Sequence, residues 1–267
     1  MKCYFQTRQL CVGYPEKTLL REIDIGIEKG EILTLIGPNG VGKSTLLKSM
    51  AGQLRLHGGA VYLDGADISE MSGAQLSRKM AVVFTEKMQT ELMTCEEVVA
   101  TGRYPYTGYF GVLSKRDHAA VEEAMELVHV AGVRGEDFRK ISDGQRQRVM
   151  LARAICQEPE IIIMDEPVTF LDIRYKLEFL SVLLKLREKK GLTVVMSLHE
   201  LELAKIVSDK ILCLKEGRAE RFGTPAEIFE GDFIERLFDI SGKDFPGDER
   251  LLAYVRGMGR EKQLWQK

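Results

Sequence analysis

An α/β fold, with a mostly parallel sheet covered by helices on both faces, is predicted for this chain by three observations. Apolar runs of strand length recur at Ile32–Ile36, Ile161–Met164, Val194–Met196 and Ile211–Leu214. Helical periodicity lies between them, most clearly over Arg174–Lys190. The first run leads straight into a glycine-rich turn and a helical stretch. Strands that alternate with helices and are apolar throughout belong to a parallel sheet buried on both faces.

The elements follow in chain order. Met1 to Ile27 reads as antiparallel strands, with Leu10–Tyr14 ending at a Pro15 turn. Ile23, Ile25 and Ile27 alternate with polar residues, as in a half-buried strand. Ile32–Ile36 is a buried strand. Ser44–Ala51 is a helix closed by Gly52. Gly58 to Asp67 reads as a hairpin turning at Asp64-Gly65, and Met80–Phe84 as a further strand. From Cys95 to Gln157 the period is helical, through Val98, Val99, Val121, Ala124, Val149 and Ile155. This predicts a helical subdomain over about 86–158, inserted in a domain spanning 1–225. Residues 226–267 are expected to form a small helical tail, mobile from Gly257 to Lys267.

Composition narrows the function classes. The chain has 267 residues, enough for one large domain with an insertion, and 45% are hydrophobic. A net charge of -2 disfavours general nucleic-acid binding. Cys3, Cys11, Cys95, Cys156 and Cys213 are scattered with no C-x-x-C, so neither a disulfide framework nor a zinc site is suggested. A reducing cytoplasm fits. No signal-peptide run or 18-residue apolar span is expected. Asn39 is the only asparagine, which removes both an N-x-[ST] glycosylation site and an N-K-x-D guanine reader.

The chemistry centres on Gly37-Pro38-Asn39-Gly40-Val41-Gly42-Lys43-Ser44-Thr45, which fits G-x-x-x-x-G-K-[ST] between strand and helix. Glycines let backbone N–H groups converge on phosphate oxygens, and the helix start adds its positive end. Lys43 can reach the β- and γ-phosphates, and the Ser44 hydroxyl can hold Mg²⁺. Ile161–Met164 delivers Asp165 and Glu166 to a strand end, where open α/β sheets bind ligands. Asp165 suits Mg²⁺, and Glu166 suits orientation or deprotonation of an attacking water. Ser142 and Gln145 have capping-box spacing for a helix over Arg146–Gln157. The same helix end could present a hydroxyl and N–H groups to a γ-phosphate. His199 follows the strand Val194–Met196 and could contact that phosphate.

The order of phosphate loop, helical insertion, Ser-Asp-Gly-Gln, Asp-Glu and His resembles the ATP-binding subunits of ABC transporters over nearly all of residues 1–225. The resemblance implies a P-loop NTPase (RecA-like) core with an N-terminal antiparallel β subdomain. It implies that Tyr14 stacks on adenine, that Gly37 to Thr45 is the Walker A loop, and that Asp165 and Glu166 close the Walker B strand. Ser142, Gly144 and Gln145 then complete the ATP site of a second copy. Asp172 lies in the loop crossing between copies, and His199 is the switch histidine. Two ATP with Mg²⁺ are thus sandwiched in a head-to-tail dimer.

Two positions depart from the family's pattern. Thr85 stands where a glutamine links metal and water to the permease, with Gln89 the nearest glutamine. Asp143 replaces the first glycine of the signature, and it is expected to turn away from phosphate toward Arg146 or Arg148. The aromatic, loop-like stretch Val98–Gly111 and the run His199–Ala204 resemble importers of iron siderophores, haem and cobalamin. The resemblance implies uptake of an iron-siderophore chelate, with import of haem or cobalamin, or the ATPase of an exporter or other ABC complex, as alternatives. The implied partners are a membrane permease and, indirectly, a substrate-binding protein. The implied location is the cytoplasmic face of the membrane.

Overall fold

The computed structural model describes residues 3–84, 92–108 and 111–240. Among the described residues ten strands run β1 Phe5–Tyr14, β2 Lys17–Ile27, β3 Ile32–Ile36, β4 Gly58–Leu63, β5 Ala66–Asp67, β6 Met80–Val83, β7 Ile161–Met164, β8 Thr193–Ser197, β9 Lys210–Lys215 and β10 Arg218–Gly223. Among the described residues the α-helices are α1 Lys43–Met50, α2 Gly73–Lys79, α3 Cys95–Ala100, α4 Lys115–Leu127, α5 Asp143–Cys156, α6 Ile173–Lys190, α7 Leu201–Val207, α8 Pro225–Ile228 and α9 Phe233–Leu237.

The strands form two sheets. One is antiparallel, in the order β2-β1-β4-β5. The other has the order β10-β9-β3-β8-β7-β6 and is parallel from β9 to β6, with β10 antiparallel at its edge. Successive side chains of a strand point to opposite faces. Accordingly Ile161 and Ile163 join a core with α1 and the antiparallel sheet, while Ile162 and Met164 join one with α3 to α7. All four are fully buried. Each such side chain contributes about 1.5–3 kcal/mol by leaving water.

Several elements differ from their sequence reading. The first strand runs Phe5–Tyr14, within the stretch read as antiparallel strands, and it tolerates a break in its pairing where Gln9 takes a left-handed φ of 46°. The Gln9 N–H donates to Asp24 Oδ1 at 2.7 Å across that irregularity. α5 starts three residues before Arg146, because Ser142 and Gln145 form a reciprocal capping box. The stretch read as loop-like after Val99 instead continues as a 3₁₀ helix over Thr101–Tyr106. Gly102 permits it: a Cβ there would stand 2.3 Å from the Arg153 carbonyl oxygen, so only glycine lets this turn lie against α5. Helices α3, α4 and α5 all lie between β6 and β7 in the chain.

Candidate functional site: a phosphate loop facing two carboxylates

Parallel alignment brings the C-terminal ends of β3, β7 and β8 to one edge. Leu35 pairs with Ser197, and Met164 with Met196. The residues just beyond these positions are therefore neighbours: Gly37, Asp165, Glu166 and His199.

The turn after β3 is glycine-rich for a geometric reason. Gly37, Gly40 and Gly42 have φ of 148°, 76° and 108°, the left-handed region that costs other residues about 1 kcal/mol or more. A Cβ on Gly37 would also meet the Leu214 carbonyl oxygen at 2.3 Å. Gly42 caps α1 without a side-chain bond, and no acidic residue stands in its first turn. The helix start thus keeps its N–H groups and positive end for an anion. Lys43 is 5% exposed, and its ammonium donates to the carbonyl oxygens of Gly37 at 2.8 Å and Pro38 at 3.2 Å. Burial pulls its pKa below the usual lysine range, and the Glu166 and Asp165 carboxylates push the other way. A buried cation beside the open N-terminus of α1 is suited to a polyphosphate. Val41 packs at the edge of the core on this face, and Thr45 is buried.

Facing the loop, Asp165 is 4% exposed and accepts a hydrogen bond from Ser197 Oγ at 2.7 Å. The same Ser197 oxygen accepts the Glu166 N–H at 2.9 Å. Glu166 has φ 49°, a left-handed conformation unusual for a residue with a side chain. That turn swings its carboxylate toward β8, where Oε1 meets His199 Nε2 at 2.5 Å. The sequence gives no hint of Ser197, since a serine closing an apolar strand carries no signal of its role.

The remaining expected site residues lie on other elements. Ser142 is the N-cap of α5: its Oγ accepts the Gln145 N–H at 3.2 Å, and its own N–H donates to Gln145 Oε1 at 3.0 Å. Asp143 turns to Arg146 in an ion pair, as expected. Gly144 approaches Leu171, beside Asp172, and a Cβ there would be 3.3 Å from its side chain. Asp172 caps α6 by accepting the Tyr175 N–H at 3.0 Å. Tyr14 ends β1, half-exposed. Among the described residues no hydrogen bond joins Ser142, Gln145, Asp172 or Tyr14 to the phosphate loop. Thr85 and Gln89 lie outside the described residues.

Residues 20–169 match the protein family described as ABC transporter. The chain belongs to the ABC transporter family. It is 40% identical over 240 residues to an uncharacterized ABC transporter ATP-binding protein of Methanocaldococcus jannaschii, covering 90% of this chain and 83% of that one. It is 37% identical over 237 residues to the iron(3+)-hydroxamate import ATP-binding protein of Bacillus subtilis, covering 89% and 88%. Among solved structures, a dimeric ATP-binding cassette in a post-hydrolysis state with ADP and Pi superposes with a TM-score of 0.74 at 26% identity, covering 83% and 98%. This ABC chain binds nucleotide and is an ATPase, and the α/β core expected from the sequence is the core observed. Among the described residues no helix is long and apolar enough to cross a membrane.

The donor set also bears on a metal. Among the described residues no group of three or more His, Cys, Asp or Glu side chains could cage an ion. Mg²⁺ characteristically takes one or two protein oxygens and completes its shell with phosphates and water. Ser44 and the buried Asp165 fit that requirement.

Proposed function

We propose that this chain is the ATP-hydrolysing subunit of an ABC importer, acting as a head-to-tail pair of copies around two ATP and seated on the cytoplasmic face of a membrane permease. The cargo we propose is an iron-siderophore-type chelate, delivered by a substrate-binding protein. The names of similar proteins support this cargo, including the iron(3+)-hydroxamate import protein of Bacillus subtilis. The observation that carries the reading is the Asp165–Ser197–Glu166–His199 array opposite the phosphate loop.

Gly37 to Thr45 holds the phosphates through backbone N–H groups, and Lys43 moves from its loop carbonyls to the β- and γ-oxygens. Ser44 and Asp165 would hold Mg²⁺, which supplies charge neutralisation at the transferred group. We assign Thr85 a contact to the metal or its water. Glu166 accepts the proton of the attacking water as its oxygen bonds the γ-phosphorus and the bond to the β-phosphate oxygen breaks, releasing ADP. His199 fixes the Glu166 carboxylate and reads the departing phosphate. Tyr14 stacks on adenine. Ser142, Gly144 and Gln145 close over the nucleotide of the other copy, and Asp172 lies at the crossing between copies.

We propose the 3₁₀ turn Thr101–Tyr106 as the permease contact, a choice supported by Tyr104, which is 58% exposed. Such a polar-tipped aromatic surface suits a protein interface. We take 1–225 as the ATP-binding domain, with about 86–158 as its helical insertion and 226–267 as a separate tail. The test is capture of the tagged chain from detergent-solubilised membranes with mass spectrometry. Recovery of a polytopic permease and a substrate-binding protein is the expected result. Soluble partners alone would overturn the transport reading and leave the ATPase standing.

A further inference from the structure

We infer that Gln147 links the two ATP sites of the pair, by joining the helix that completes one site to the backbone of the hydrolytic carboxylate in the other. The inference rests on the head-to-tail pairing proposed above.

Gln147 lies on α5, five residues past Ser142, about 7.5 Å along the axis. Its Nε2 donates to the Glu166 carbonyl oxygen at 3.2 Å. Its Oε1 is buried with no hydrogen-bond partner among the described residues, so the amide serves here as a donor. The recipient is a residue in an unfavourable conformation. Glu166 at φ 49° keeps that geometry only because its surroundings hold it. Its backbone is held by the Glu166 N–H to Ser197 Oγ at 2.9 Å, by the Gln147 amide, and by the Thr169 N–H to the Glu166 carbonyl oxygen at 3.3 Å. Ser197 sits on the rigid sheet and Thr169 on the same loop. Gln147 is the one tie in this set that comes from α5.

The consequence is mechanical. Ser142 and the first turn of α5 answer to the γ-phosphate of the other copy's nucleotide. When that end of α5 shifts, the Gln147 amide shifts with it and pulls on the Glu166 peptide. The carboxylate that meets His199 then moves between two settings. Occupancy of one site thereby tunes hydrolysis in the other. Gln147 is a positioning residue and touches no nucleotide.

The test compares wild type, Gln147→Leu and Gln147→Asn in the assembled transporter, reading ATP hydrolysis against ATP concentration. Leu keeps the volume without the donor, and Asn keeps the amide but falls one methylene short. The Hill coefficient of the wild type is expected to approach about 2, the number of sites. Both variants are expected to fall to about 1, with ATP affinity of the isolated chain unchanged. Sedimentation of Glu166→Gln with ATP reports pairing independently. If pairs form and the wild type is cooperative, but both variants keep its Hill coefficient, the Gln147 link is wrong and the pairing stands. If no pair forms, the inference falls together with the pairing.

Discussion

His199 Nε2 lies 2.5 Å from Glu166 Oε1, so the ends of β7 and β8 present one hydrogen-bonded unit rather than two separate side chains. The pairing depends on the left-handed turn at Glu166, whose N–H and carbonyl are held by Ser197 and Gln147. An ordinary helical or extended φ at that position would send the carboxylate elsewhere, and a strained backbone at a strand end is a common feature of reacting sites.

Glu166→Gln keeps shape and loses the proton acceptor. ATP hydrolysis is expected to fall by about 10²–10⁴-fold, the range for a positioned general base, with ATP binding retained. His199→Ala is expected to be slower than wild type as well. Because the two act as a unit, the double variant should be little slower than Glu166→Gln alone. Single-turnover phosphate release measures all three. Losses that simply multiply would show the two side chains working independently.

Ser197→Ala removes the hydroxyl shared by Asp165 and the Glu166 N–H. Asp165 is buried, so one of its oxygens loses its partner, and Glu166 loses the anchor of its turn. Hydrolysis is expected to drop about 10–100-fold, typical for a residue that orients a metal ligand. The Mg²⁺ concentration for half-maximal activity should rise with it. A purely structural serine would lower thermal stability and leave that Mg²⁺ requirement where it was.

Gly37 and Gly40 share a left-handed backbone yet differ in their surroundings. A methyl at Gly37 collides with the Leu214 backbone, whereas a methyl at Gly40 meets nothing within 4 Å. Gly37→Ala is therefore expected to displace the phosphate loop and abolish ATP binding. Gly40→Ala should cost about 1–2 kcal/mol of stability from the left-handed backbone alone, with the fold intact. Lys43→Ala should lose nucleotide affinity without unfolding. Nucleotide titration by fluorescence alongside thermal melts separates these outcomes.

Much of this site is legible in the sequence because its parts are local. The phosphate loop has fixed spacing, and the two acids directly follow four apolar residues that the sheet buries on both faces. The residues that position them are not legible. Ser197 reaches Asp165 across 32 positions, Gln147 reaches Glu166 across 19, and Arg103 reaches Cys156 across 53. Each looks ordinary in its own segment: a serine closing a strand, a glutamine in a polar helical turn, an arginine among tyrosines. Their meaning comes from sheet order and helix packing, which no local pattern encodes. The 3₁₀ turn at Thr101–Tyr106 was unreadable for the same reason, since it depends on the contact of Gly102 with α5.

Arg103 carries the last prediction. It is 1% exposed and donates to Asp117 Oδ1 at 2.8 Å, to the Cys156 carbonyl oxygen at 2.7 Å and to Glu158 Oε2 at 2.8 Å. Its guanidinium also lies 4.1 Å from the Tyr106 ring centre. One side chain thus fastens the exposed Tyr104 turn to the start of α4 and the end of α5. Arg103→Met leaves Asp117 buried with less compensation and should destabilise the fold by about 3 kcal/mol, near the lower end for breaking a buried pair. Part of that cost depends on pH. The Asp117 carboxyl is lowered from 3.8 to about 2, first by hydrogen bonds from Ser114 and then by Arg103. A depressed carboxyl stabilises fully above its unfolded value of 3.8, and the contribution disappears as pH falls through about 2. The stability gap between wild type and Arg103→Met, followed by urea unfolding, should therefore be largest above pH 3.8 and narrow on acidification toward about 2. A gap that stays constant over that window would assign the role of Arg103 to its Cys156 carbonyl bond and Tyr106 stacking, and remove the ion pair from the account.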